Sequence, residues 1–123
     1  AVDIDALGRA IRLHSAFAPE GVNVDFVALR ESNRLSMRTY ERGVEAESGA
    51  CGTGAVAAAV TTVEAHAGTL PITVRTSGGF MLNIDADWRN NRCTGLTLTG
   101  PVREVYQGSI DLSQYSNDLT GIE

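Results

Sequence analysis

Cys51 stands directly before Gly52-Thr53-Gly54 and a run of small apolar residues, Ala55-Val56-Ala57-Ala58-Ala59-Val60. A thiol at the start of a helix lies in the positive end of the helix dipole, where the field favours a sulfur anion and makes it a base. The N–H groups of Gly52, Thr53 and Gly54 are among the four that a helix start leaves without internal partners, so they can receive an anion such as an α-carboxylate. Two glycines allow close backbone approach. A carboxylate held beside a thiolate brings the α-carbon within reach of the base, as proton abstraction from an amino acid requires. On residue types alone a second reading stands beside this one: Cys51 as a small buried hydrophobe, and Gly-Thr-Gly as an ordinary strand-to-helix turn. A phosphate loop is disfavoured, because the Gly-Lys-Ser/Thr ending of such loops is missing.

The elements that must position this stretch can be read from periodicity. Ile4, Leu7, Ile11 and His14 recur at helical spacing, with Asp3 or Asp5 available as N-cap, which predicts an amphipathic helix over Asp3–His14. After Pro19 and Gly21, Val22, Val24 and Phe26 alternate with Asn23 and Asp25. Leu35, Met37 and Thr39 then alternate with Ser36, Arg38 and Tyr40, giving two antiparallel strands. The apolar run after Gly54 predicts a helix enclosed by protein, started by Thr53 and ended by Gly68 as a C′ glycine. Ile72 and Val74, a Gly78-Gly79 turn, and Phe80, Leu82 and Ile84 form a hairpin. Asp87 to Asn91 reads as a loop, Leu96 and Leu98 as a strand stopped by Gly100-Pro101, Val102 to Tyr106 as a last strand, and 113–123 as a polar tail. The expected architecture is α+β: one domain over 1–123, with a mainly antiparallel sheet wrapped around a central alanine-rich helix.

Composition narrows the function. All ten basic residues are Arg, against fifteen acidic ones. That balance offers no basic face for nucleic acid. Without a lysine the chain cannot hold pyridoxal phosphate as a Schiff base, so no cofactor is expected. Cys51 and Cys93 are far apart with no CxxC pair, which points away from a zinc site and towards a reducing, cytoplasmic setting. No run is long enough to span a membrane. His14 reads as a structural histidine and Cys93 as inert. Glu45 and Glu47 read as a solvated acidic loop.

Glu41-Arg42-Gly43, an acidic spacer and Ala50-Cys51-Gly52-Thr53-Gly54-Ala55 together resemble the diaminopimelate epimerases. The segment Gly21 to Val27 is similar to that family's Val-Asn-Val-x-Phe strand, Leu7-Gly8 and His14 to Phe17 to the helix before it, and Leu98-Thr99-Gly100-Pro101 with Val105 and Gly108 to its C-terminal strands. The likeness runs from about Val2 to Ile110. Proline racemases share Cys-Gly-Thr-Gly but not the preceding Glu-Arg-Gly. The resemblance implies a two-base mechanism on LL- or meso-diaminopimelate with Cys51 as one of two proton-transferring thiols. It further implies that Asn23, Glu41 and Arg42 contact the distal amino-acid end and that the Gly52 and Thr53 amides hold the reacting carboxylate.

The chain departs from that family in length, about half of what the resemblance implies, and at Ala46, Ser48 and Gly49 near the thiol. The partner cysteine and the Asn-Pro-His segment of the family have no counterpart here. The expectation is therefore a C-terminal portion, inactive in isolation, whose uncovered apolar surface promotes self-association as an oligomer. Two other readings are a carboxylate-binding module without catalysis and a related isomerase of the same fold.

Overall fold

A computed structural model describes residues 2–89 and 92–111. In chain order it contains α1 (Ile4–Arg12), a short 3-10 turn (Ser15–Phe17), β1 (Val24–Glu31), β2 (Arg34–Glu41), β3 (Ala46–Ser48), α2 (Gly52–Glu64), β4 (Ile72–Arg75), β5 (Met81–Arg89) and β6 (Arg92–Thr99). The six strands form one sheet in the order β1-β2-β4-β5-β6, with β3 paired to β2. Four of the five strand pairings are antiparallel, and β2 with β4 is parallel. Parallel neighbours need a long crossover, and α2 supplies it. The fold is the α+β arrangement expected.

Period-two patterning decides which side of the sheet meets α2. Leu35 and Met37 of β2, Ile72 and Val74 of β4, and Leu82 and Ile84 of β5 are buried with Cys51, Ala55, Ala58 and Ala59 in one cluster. Small side chains on α2 allow this close seating, and each aliphatic residue buried there contributes about 1.5–3 kcal/mol. The opposite face of α2, at Thr53, Ala57 and Thr61, is exposed. The sheet thus curls around one side of the helix.

On the outer face of the sheet, Ile4 of α1 packs with Val24 and Tyr40 in a second cluster. Asp3 caps α1 through a side-chain oxygen that accepts from Ala6 N at 3.0 Å. Gly8 is where α1 touches the sheet: a Cβ there would lie 2.5 Å from Tyr40 Cβ, and Tyr40 is only 2% exposed. Gly8→Ala should therefore lower stability. The helix-propensity gain of about 1 kcal/mol is outweighed by overpacking of about 2–3 kcal/mol. A thermal melt should show a midpoint several degrees lower, and an unchanged midpoint would mean that α1 shifts freely.

Several sequence expectations are corrected. The first helix ends at Arg12, and His14 instead caps the 3-10 turn, its Nδ1 accepting from Ala16 N at 3.2 Å. Asn23 precedes β1 rather than lying within a strand. Cys51, not Thr53, is the N-cap of α2, and His66, at φ 55°, takes the left-handed position after it in place of Gly68. Gly68 is needed for another reason, since a Cβ there would meet Ser32 O at 2.6 Å. β5 continues through Asp87 to Arg89, where a loop was expected, and the rest of that expected loop, at positions 90 and 91, lies outside the described residues. Val102 to Tyr106 forms no strand and is exposed. The expected tail at 113–123 also lies outside the described residues.

Candidate active site at the start of the second helix

The sulfur of Cys51 sits where the sheet's interior meets the first turn of α2. The residue is 5% exposed and belongs to the core cluster, yet its sulfur is not walled by hydrocarbon alone. Gly54 N donates to Sγ at 3.4 Å, Asn23 Nδ2 donates to it at 3.7 Å, and Thr53 Oγ1 lies 3.5 Å away. The amide of Gly54 is therefore occupied by the sulfur and is not available to a ligand. Among the described residues, nothing accepts from the N–H groups of Gly52 and Thr53. Those two residues line a cleft of about 440 Å³ together with Val56, Leu96 and Leu98.

Asn23 joins this turn to the loop after β2. Its Oδ1 accepts from Arg42 N at 2.9 Å while its amide nitrogen faces Cys51 Sγ. Asn23, the backbone of Arg42, Cys51 and Thr53 thus form one connected group. The guanidinium of Arg42 points elsewhere, to the backbone oxygen of Glu20 at 3.5 Å and its carboxylate at 3.9 Å. Glu41 ends β2 half-buried, and its carboxylate makes no hydrogen bond or ion pair among the described residues. Its backbone carbonyl accepts from Val44 N and Glu45 N, which closes the turn carrying Arg42.

One residue pair at the site escapes a reading by motif. Asp25, on the inner face of β1, accepts a hydrogen bond from Thr39 Oγ1 at 2.6 Å, and its carboxylate lies against Gly54. The alternation of Val22, Val24 and Phe26 puts Asp25 on the polar side, so its place on the inner face is seen only from the pairing with Thr39.

Glu45 lies in an exposed turn, as expected of a solvated loop, whereas Glu47 is half-buried in β3, and both carboxylates are paired. Glu45 adopts φ 58° and accepts from Gly43 N at 3.1 Å and from Arg12 Nε at 2.9 Å. Glu47 lies in β3 and pairs through both oxygens with Arg38. The Gly43 amide, then Arg12, hold the Glu45 carboxyl below its ordinary value, and the Arg38 hydrogen bonds do the same for Glu47. A lowered folded-state value means stability that is present above the ordinary glutamate pKa of about 4.3 and drains as pH falls through the lowered value. The stability gap between the wild type and Glu47→Gln should accordingly be constant near neutral pH and shrink below about pH 4. A gap independent of pH in denaturant titrations would show that the pair has no such role.

Both cysteines are free. Among the described residues, no helix is long and apolar enough to cross a membrane.

Comparison with known proteins shows the family. The chain is 41% identical over 110 residues to the diaminopimelate epimerase of Aquifex aeolicus, covering 89% of this chain and 38% of that protein. It is 40% identical over 117 residues to that of Gemmatimonas aurantiaca, covering 89% of this chain and 42% of the relative. It is 40% identical over 114 residues to that of Methanocella arvoryzae, covering 91% and 38%. The chain thus spans about two-fifths of the length of these relatives. The family model described as diaminopimelate epimerase matches residues 1–105, and the chain belongs to the diaminopimelate epimerase family.

Proposed function

We propose that Cys51 is one of two thiols that exchange an α-proton on opposite faces of diaminopimelate, the second thiol being supplied from outside these 123 residues. The observation that carries this reading is a sulfur with three polar neighbours at a helix start, beside two amides with no partner among the described residues. The Cys51 thiolate takes the α-hydrogen as a proton, forming S–H and leaving the electron pair on the α-carbon and its carboxylate. The second thiol returns a proton to the opposite face and becomes the thiolate. Configuration is inverted, the two sulfurs have traded protonation states, and no electron is transferred, so no cofactor is required.

In this reading the Gly52 and Thr53 amides hold the reacting carboxylate against the charge that develops there. Asn23, Glu41 and Arg42 face the distal amino-acid end, where a carboxylate and an ammonium need partners of opposite sign. The Arg42–Glu20 contact is long and exposed, so it contributes little and yields readily to a substrate carboxylate. Asn23 is the link that keeps the distal group and the sulfur at a fixed separation.

One thiol serves one face of the carbon. The 123-residue chain by itself should give no measurable conversion of LL- to meso-diaminopimelate in a chiral assay, and robust turnover would refute the two-thiol scheme. In the complete enzyme, unlabelled diaminopimelate should displace labelled diaminopimelate and proline should not. Equal displacement by proline would assign the site to a related isomerase.

A further inference from the structure

The acidic balance of the sequence hides a local reversal of charge. On the face of the sheet away from α2, a cleft of about 580 Å³ is lined by Arg30, Arg34 and Arg75, one from each of β1, β2 and β4. Register explains how they meet. Ser36 lies opposite Arg75 across the β2–β4 pairing, and Arg34 lies opposite Thr73 two residues along the same face. The pairing of β1 with β2 shifts between Leu29 and Glu31, and such bulges re-aim a side chain. Arg30 stands at that irregularity, and its Nε donates to Ser36 Oγ at 3.1 Å. Ser36 thus takes a bond from Arg30 of β1 on one side and has Arg75 of β4 as its register partner on the other.

The cleft is under-neutralised. Glu31 is its one carboxylate, 3.7 Å from Arg34 with both side chains more than 60% exposed. Three positive charges and one negative leave +2, in a chain whose formal net charge is −5. The Arg75 guanidinium has no hydrogen-bond or ion-pair partner among the described residues. Gathering like charges costs free energy that an anion would repay.

We propose that this cleft binds the phosphate group of a small phosphomonoester. The dianion matches the uncompensated charge, and guanidiniums suit phosphate oxygens in paired geometry. Ser36 accepts from Arg30 and still has its own hydrogen to donate. Met81, half exposed at the rim, gives the cleft an apolar contact for the organic part. The site is on the opposite face of the sheet from Cys51, and its occupation does not depend on the proposed reaction.

The test is calorimetric titration of the 123-residue chain with phenyl phosphate and inorganic phosphate at fixed ionic strength. Saturable binding is expected, with phenyl phosphate the tighter ligand. Arg75→Gln should weaken it by about tenfold, as losing one charge-assisted contact would. Cys51→Ala and Arg103→Gln, which lie outside the cleft, should leave it unchanged. Because Arg75 is exposed, its replacement should fold, and Arg34→Gln gives a second reading if it does not. Non-saturable binding, equal weakening by Arg103→Gln, or tighter binding of inorganic phosphate would overturn the proposal.

Discussion

Cys51→Ala in the complete enzyme should lower the rate of epimerisation by ~10³-fold or more, the scale on which a positioned acid–base group acts. The substitution is informative because little else changes. Cys51 is 5% exposed in an alanine-rich cluster, so alanine fits the same pocket with the loss of one sulfur atom. Asn23 keeps its bond to Arg42 N, and Gly54 N loses its acceptor. Stability should fall modestly while KM stays near its wild-type value, because the amides of Gly52 and Thr53 are untouched. A steady-state assay separates the two effects: kcat should collapse and KM should not. Retained kcat would remove Cys51 from the reaction, whereas a large rise in KM with kcat preserved would make it a binding residue.

How much of this site could be read in advance depends on range along the chain. Cys51, Gly52 and Thr53 are consecutive, and helix-start chemistry is local, so their grouping was legible from the sequence alone. The alternation in Leu35-Met37-Thr39 and Ile72-Val74 likewise marks the inner face, because burial on one side of a strand leaves a period of two. Asn23 reads as a strand interior because Val22 and Val24 flank it in the same alternation. In the fold its side chain is committed to two partners, Arg42 N and Cys51 Sγ, 19 and 28 residues away. Val102 to Tyr106 shows the converse: residues of strand-like type make a strand only where a neighbour offers a ladder, and among the described residues none pairs there. His66 in place of Gly68 is a third case. The glycine signal was real, but its cause is the approach of Ser32 O rather than the helix end.

Gly54→Ala tests the feature of the site that no motif announces. A Cβ at Gly54 would lie 2.5 Å from Asp25 Oδ1 and 2.8 Å from its Cγ. The carboxylate cannot swing aside freely, because Thr39 Oγ1 donates to it at 2.6 Å and Thr39 is only 2% exposed. Either Asp25 gives up that bond, at about 1.5–3 kcal/mol for a hydrogen bond to a charged group, or the first turn of α2 lifts away. Alanine's better helix propensity recovers only about 1 kcal/mol. A net destabilisation of about 1–3 kcal/mol is expected in denaturant titration once overpacking is added. The effect on catalysis should be larger than stability alone explains, since Gly54 N bonds the sulfur and a displacement of about 1 Å at a reacting group costs on the order of 10²-fold in rate. Asp25→Ala supplies the control. With the carboxylate gone the new methyl has room, so Gly54→Ala should cost less in the Asp25→Ala background than in the wild type. Additive costs in that double-mutant cycle would show that the two residues do not press on each other, and the glycine would then owe its place to the helix start alone.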